Sequence, residues 1–597
     1  MKTINYLCLS IAAVMSVAVR PASAAQPPDT VQSDGSGNTA SGTSAMLDLS
    51  TGSDNTAYGY RAMYNTATGA ENTAFGEDAL ANTVAGSFNT AVGRWALANN
   101  TASNNSAIGY FALSSNTTGT LNTAAGYEAL YSNTTGGSNT AVGANALLAN
   151  TTGSLNSAFG EQALTSNTEG VQNTAVGYQS MQVNTTGSYN TAVGINSLNV
   201  NTTGSNNTAA GNSALAFNTS GIQNSAFGDS SLYSNTTGTD NSALGYQSLE
   251  SNTTGSLNTA VGVESLNFNT TGSENTAVGD RALNDNTTGS NNTAVGVEAL
   301  NTNYSGNYST AVGAYALSGN ITGNYDTAIG ANALYNSTTG SYTTAVGANS
   351  LSSNTTGGYD TAFGADSLPD NTTGTGNTAF GYAALRSTTT GNNNIGFGYQ
   401  SLYLNSSGSN NIAMGYQAGS QLISGSNTIE IGNAGTSSDS NVIRIGTENT
   451  QTAAYIAGIS GAQVTGAAVY VTSSGRLGVQ ASSERYKTAI AAMGAHTDRL
   501  QELRPVSFHL KSDPDGALQY GLIAEEVDKV YPELVIRDQS GKIQGVHYEE
   551  LAPMLLNEVQ RQQAAIVELR KQVAELSNLK KEVAALRRES RELVAER

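Results

Sequence analysis

From residue 38 onward, apolar and polar positions follow one another with a fixed beat. An Asn, a small hydroxyl residue, an Ala and a larger apolar residue lead into a Gly, and the phrase returns every 17 residues. Units begin at Asn55, Asn72, Asn89, Asn105 and Asn122. They run on through Asn190, Asn292, Ser309, Asp326, Thr343, Asp360 and Asn377 to Asn394 and Asn411, with a degenerate unit at Asn38 and one interval of 16 between Asn89 and Asn105. A representative unit reads Asn173-Thr174-Ala175-Val176-Gly177, then Ser180-Met181, then Asn184-Thr185-Thr186-Gly187. The first phrase predicts a short strand and a corner. The second pair, usually Ala-Leu as at Ala129-Leu130, predicts another short strand, and Asn-Thr-Thr-Gly predicts a turn whose Gly tolerates positive φ. Seventeen residues are too few for a strand plus a sizeable helix, so the unit is read as one coil of a parallel β-solenoid.

One Val or Phe and one Leu per unit bury too little for a coil to stand alone. Stacking repairs this by setting like residues above one another, and strands about 4.8 Å apart would make a rod on the order of 100 Å long. A disordered tract would share the Gly, Ser, Thr and Asn content. It would not keep the fourth position apolar, as at Phe75, Val92, Ile108, Phe159, Val176, Phe227, Leu244, Val261, Ile329, Phe363 and Phe380. The many Asn-x-Thr triplets resemble glycosylation acceptors, but their fixed place in the repeat favours the turn reading.

Composition narrows the function classes. Only 12% of the 597 residues are charged, about half the share of an ordinary soluble domain, so polar uncharged residues must supply solubility. A formal net charge of -19 argues against a general nucleic-acid binder, which needs a basic stripe. The single cysteine, Cys8, excludes an intrachain disulfide and a Cys-based metal cluster. It lies in an apolar run from Leu7 to Val19, between Lys2 and Ala22-Ser23-Ala24, the pattern of a secretory signal peptide over residues 1–24. A linker over 25–37 follows. The expected location is secreted or at the cell surface, with no membrane span after signal removal and no cofactor.

The Asn-Thr-Ala-Val-Gly units resemble the head repeats of trimeric autotransporter adhesins, and the likeness extends from residue 38 to about 435. Asn427 to Gly432 and Asn441 to Gly446 look like terminal versions of the motif. The resemblance implies trimeric β-rolls, with the Ala and Val faces of the strand divided between the inside of the coil and the trimer axis in an order left open. That family's C-terminal membrane barrel has no counterpart, because no alternating ten-residue strand series follows the repeats.

Beyond residue 436 the composition changes. Residues 436–481 read as a β-rich neck, with strand patterns at Ala468-Val469-Tyr470-Val471 and Leu477-Gly478-Val479. From Ser482 lysine appears: seven of the chain's eight lie from Lys487 onward. The pattern predicts a helix from Tyr486 to Leu503, a strand from Pro505 to Leu510, a turn at Asp513-Pro514-Asp515-Gly516, and a strand running into a helix from Tyr520 to Val527.

Four motifs occur in order. They are Ser482-Ser483-Glu484-Arg485-Tyr486-Lys487, Leu503-Arg504-Pro505-Val506-Ser507-Phe508, Gly521-Leu522-Ile523-Ala524-Glu525-Glu526-Val527 with Pro532, and Val546-His547-Tyr548-Glu549-Glu550-Leu551. This order resembles the endosialidase-type intramolecular chaperone, a self-cleaving trimerisation domain, over residues 482–553. The resemblance implies a homotrimer and autoproteolysis at or next to Ser482. Ser482 would be the nucleophile and Lys487 its base, a pairing that works when the lysine amine is desolvated. Ser483 stands where the family often has Asp. His547 reads either as a further site group or as a structural histidine.

After Pro553, Ile566, Leu569, Val573 and Leu576 repeat at 3,4,3 spacing, and Leu579, Val583, Leu586 and Leu593 continue after a skip. This predicts a coiled coil over 554–597 that would hold three chains in register, the alternative being a helix packed within one domain. The sequence therefore reads as an all-β solenoid of 17-residue repeats, then a small α+β chaperone domain and a C-terminal coiled coil. Its function is that of a homotrimeric fibre, adhesive toward a surface receptor or polymer, whose only enzymatic act is a single self-cleavage. A prophage-derived tail fibre and a structural or ice-binding solenoid are the alternatives, the last from the Thr ladder at Thr73, Thr90, Thr123 and Thr140.

Overall fold

The computed structural model describes residues 32–448, 450–451, 453–457, 468–472, 475–479, 482–538 and 540–596. The signal segment and most of the linker lie outside them. The chain forms two compact units, residues 1–447 and 448–597.

The first unit is a parallel β-solenoid with one 26-stranded sheet. A short strand at Gln32–Ser33 pairs antiparallel with Thr39–Ser41, and from there every strand is three residues long and lies parallel to the next. Register is strict: Thr174, Ala175 and Val176 face Thr191, Ala192 and Val193. The 16-residue interval does not disturb it, because Thr90 still faces Ser106. The missing residue comes out of the turn, where Ala102 takes over the carbonyl that a turn glycine supplies elsewhere and accepts from Asn89 Nδ2 at 2.9 Å. The sheet closes with Ile429–Ile431 against Ile443–Ile445.

The structure decides which of the Ala and the Val or Phe of each strand faces inward, a question the pattern left open. The central Ala is the inward residue, as Ala175 and Ala192 are wholly buried, together with Met181 and Leu198. The fourth position points outward: Val176 is 38% exposed and Phe227 42%. Strand alternation forces this once the flanking Asn is inside, and the interior of so small a coil admits a methyl opposite one Leu.

Asparagine completes the interior through two ladders. Asn173 Oδ1 accepts the backbone N–H of Asn190 at 3.0 Å, while its Nδ2 donates to Gly187 O at 2.8 Å. Across the coil, Asn184 Nδ2 donates to Asn167 Oδ1 at 2.7 Å and to the same Gly187 carbonyl at 3.0 Å. The Asn of the Asn-Thr-Thr triplets, such as Asn133 and Asn184, is therefore buried and bonded, and is closed to glycosylation in the folded chain.

The second pair does not form the expected strand. Gln179 and Met181 have φ of 54° and 52°, and the same left-handed pair recurs in coil after coil. Such residues cost roughly 1–2 kcal/mol each. Two gains offset that: Met181 N–H donates to Ser197 O in the next coil at 2.9 Å, and burying a Leu or Met side chain is worth about 1.5–3 kcal/mol. The corner glycine is a true requirement, since Gly177 has φ of 135° and a Cβ there would strike Gly194 O.

In the second unit, Tyr470–Val471 and Leu477–Gly478 form a small antiparallel pair. Three 3₁₀ turns at Glu484–Tyr486, Gly494–Thr497 and Leu500–Glu502 stand where one helix was expected. Ala489 and Gly494, with φ of 53° and 52°, interrupt any continuous helix there. A hairpin of Val506–Phe508 with Gln519–Gly521 follows, then a helix Ala524–Val530, a second hairpin of Val535–Arg537 with Ile543–Val546, and a 48-residue helix Tyr548–Ala595. Val527, Tyr531, Leu534, Val535, Val546 and Met554 make the core.

Candidate self-cleavage site

Ser482 is exposed and enters a turn begun by Ser483, whose backbone is extended (φ -69°, ψ 142°). The turn closes with Tyr486 N–H on Ser483 O and Lys487 N–H on Glu484 O, both at 3.0 Å. It thus brings the segment bearing Ser482 and the backbone of Lys487 around one short loop. Arg485 lies over its neighbour Tyr486, 4.7 Å from the ring centre. Lys487 is exposed like Ser482, and among the described residues no hydrogen bond joins the two side chains. Among the described residues nothing supplies the dry surroundings that a Ser-Lys pair needs.

The other three motifs are bonded to one another. Arg504, in the second, holds Glu526, in the third, through two contacts of 2.6 and 3.1 Å. That pairing keeps the Glu526 carboxyl below its ordinary range. Tyr548, in the fourth, accepts Leu522 N–H at 2.7 Å. A Cβ on Gly521 would come within 2.5 Å of that hydroxyl and 3.2 Å of Phe508, so the glycine makes room for the Tyr. Tyr531 accepts Arg499 N–H at 3.1 Å, and its own hydroxyl is pushed up chiefly by burial. None of these contacts is visible as spacing, although each pair lies inside the motifs or beside them.

His547 stands at the start of the long helix. Its N–H donates to Leu534 O at 2.8 Å and its Nδ1 lies 2.9 Å from Glu549 Oε1. The first contact ties the start of the helix to the turn at Pro532–Leu534, and the second is local to the helix's own first turn. Thr497, buried, receives Asn557 Nδ2 at 2.7 Å, and Asn557 also reaches Gly494 O at 3.0 Å. Arg561 pairs with Asp498 one turn further along. Beyond this anchorage the helix carries an apolar row that no other described residue covers: Leu569 is 61% exposed and Leu576 58%.

Among the described residues no group of three or more His, Cys, Asp or Glu side chains is placed to hold a metal, and no helix is long and apolar enough to cross a membrane.

The second unit is a compact strand-and-helix module in its own right. Within it, residues 482–536 match the family model described as chaperone of endosialidase, a match that begins at Ser482 itself. No curated protein and no solved structure matches the chain.

Proposed function

We propose that this chain is one third of a secreted or surface-displayed homotrimeric fibre with an adhesive shaft. Its C-terminal domain assembles the trimer and then releases itself by cutting beside Ser482. The observation that carries the reading is the chaperone match that starts at Ser482. Two uncovered apolar rows support the trimer: the stripe on the long helix, and the outward fourth position of the solenoid, where Phe363, Phe380 and Phe397 stack at 4.9 and 4.8 Å.

In this reading assembly precedes cleavage. Packing of three chains around the exposed loop would strip water from Lys487, whose amine then takes the proton of the Ser482 hydroxyl. The Ser482 oxygen attacks a neighbouring backbone carbonyl and the C–N bond breaks. The leaving amine takes the proton back from Lys487, and water hydrolyses the ester. The carbonyl is held by the chain itself, so high effective concentration replaces substrate binding.

Denaturing mass spectrometry of purified full chain beside Ser482→Ala and Lys487→Ala tests it. The expected outcome is a separate C-terminal fragment starting at or next to Ser482 in the wild type and whole chains in both variants. A wild type that forms trimers by sedimentation and stays whole would leave the domain as a trimerisation cap without enzymatic activity.

A further inference from the structure

From Asn38 to Asn411 the first ladder is Asn in every coil except in one stretch. From Ser309 to Asn377 the inner Asn of the first ladder is replaced four times in succession, by Ser309, Asp326, Thr343 and Asp360, and in the same stretch the second ladder is broken at Ser337. All five residues are wholly buried. An Asn at the first position needs its amide as a donor: Asn292 Nδ2, for example, donates to Gly306 O at 2.8 Å. The glycines in that register for Asp326 and Asp360 are Gly340 and Gly374, whose carbonyls likewise only accept.

An ionised carboxylate would set oxygen against oxygen there, whereas a neutral acid has the shape of the amide and one proton to give. Asp326 shows the mismatch directly. Its Oδ1 accepts Thr343 N–H at 2.9 Å, as an Asn oxygen would, while the buried Oδ2, beside Gly323, has no partner. In Asp360, Oδ1 accepts Asn377 N–H at 2.7 Å and Oδ2 accepts Asn371 Nδ2 at 3.2 Å. Ser337 Oγ and Asn371 Oδ1 are buried without partners in the same coils.

The groups facing Asp326 are Ser309, Thr343, Asn320 and the Gly323 backbone; those facing Asp360 are Asn371 and Asn377. None carries charge. The adjoining phenols, Tyr325 and Tyr359, belong to an outer stack of Tyr308, Tyr325, Tyr342 and Tyr359 and are exposed.

We propose that Asp326 is kept as a neutral acid and, with the equally buried Asp360 two coils on, makes the coils from Ser309 to Asn377 a joint in the solenoid, closed in acid and loosened in alkali. Burial, the largest cause, pushes both carboxyls up to about 7 from an ordinary 3.8. An acid raised on folding binds its proton more tightly in the folded chain. Its contribution is therefore fully present below the ordinary value, declines as pH climbs, and is lost once pH passes about 7.

Hydrogen exchange of the full chain followed by mass spectrometry, at about pH 5 and about pH 8.5 with intrinsic rates divided out, reads the joint coil by coil. Peptides from 309–377 should open at least about tenfold more at the higher pH, measured against the all-Asn coils between Asn190 and Asn292. The double variant Asp326→Asn, Asp360→Asn carries the residue that the regular coils already accommodate, and should lose that difference. An equal ratio at both pH values in the wild type overturns the proposal, as does a pH response that survives in the double variant.

Discussion

A single asparagine inside these coils serves four bonds. Asn224 Oδ1 accepts from the backbone N–H and the Nδ2 of Asn241, at 3.1 and 3.0 Å, while its own Nδ2 donates to Asn207 Oδ1 at 3.2 Å and Gly238 O at 2.8 Å. Asn224→Ala leaves buried partners unmatched at about 1–3 kcal/mol each. Thermal denaturation should move to lower temperature, and exchange should rise in the coils on both sides. Gly177→Ala forces a left-handed Ala against the next coil and should cost about 1–3 kcal/mol for the strained backbone alone, where the same change at Gly478, which has open space and no left-handed φ, should cost far less. Glu430 occupies the Ala place of the last full coil, buried, with neither carboxyl oxygen partnered. Burial first, and Asp439 second, push it up to about 7, while Asp439, bonded twice by Arg444 at 2.8 Å, is held down at about 2. The raised group favours the fold at low pH and loses that contribution as pH rises through about 7. Glu430→Gln should therefore flatten the stability profile between pH 5 and 8, and a titration of the melting temperature checks it.

At the scale of elements, each coil has one strand and two turns, and the turns carry as much coil-to-coil bonding as the strand. The sequence showed the strand because Thr-Ala-Val alternates. It did not show that Ala-Leu adopts a turn, because a left-handed Leu has no residue signature and becomes affordable only when the next coil supplies its hydrogen bond. The 3₁₀ turns between Glu484 and Glu502 were missed for a related reason: a left-handed Ala489 is set by context, although Gly494 was a visible break. The long helix was legible from its 3,4 spacing, and the proposed tie between chains places its exposed apolar row at their interface. Leu569→Glu with Leu576→Glu should convert the trimer to a monomer by sedimentation equilibrium while the core around Val527 and Leu534 stays folded by near-ultraviolet circular dichroism. An unchanged trimer in that variant would move the tie between chains to the solenoid.

For the molecule as a whole, uniform coils pose a problem of register, since a shift by one unit repeats nearly every contact. A domain that binds three chains at one end solves it, and cleavage afterwards would leave a shaft stabilised by its barrier to unfolding. Much of this was determined by the sequence alone. Period, corner glycines, the Asn positions and the order of the chaperone motifs are local or periodic features, and a stack of identical units amplifies them. The tertiary structure decided what depends on neighbours. Ala and Val are both apolar, so the pattern left open which one faces inward; the space inside a coil already holding Leu and two Asn ladders chose the smaller. The proposed Ser482 and Lys487 pair was read from a spacing of five residues, and a backbone turn lies between the two positions. Whether that pair is dry is a matter of which surfaces cover it, and an exposed loop in one chain hands that decision to its assembly with others.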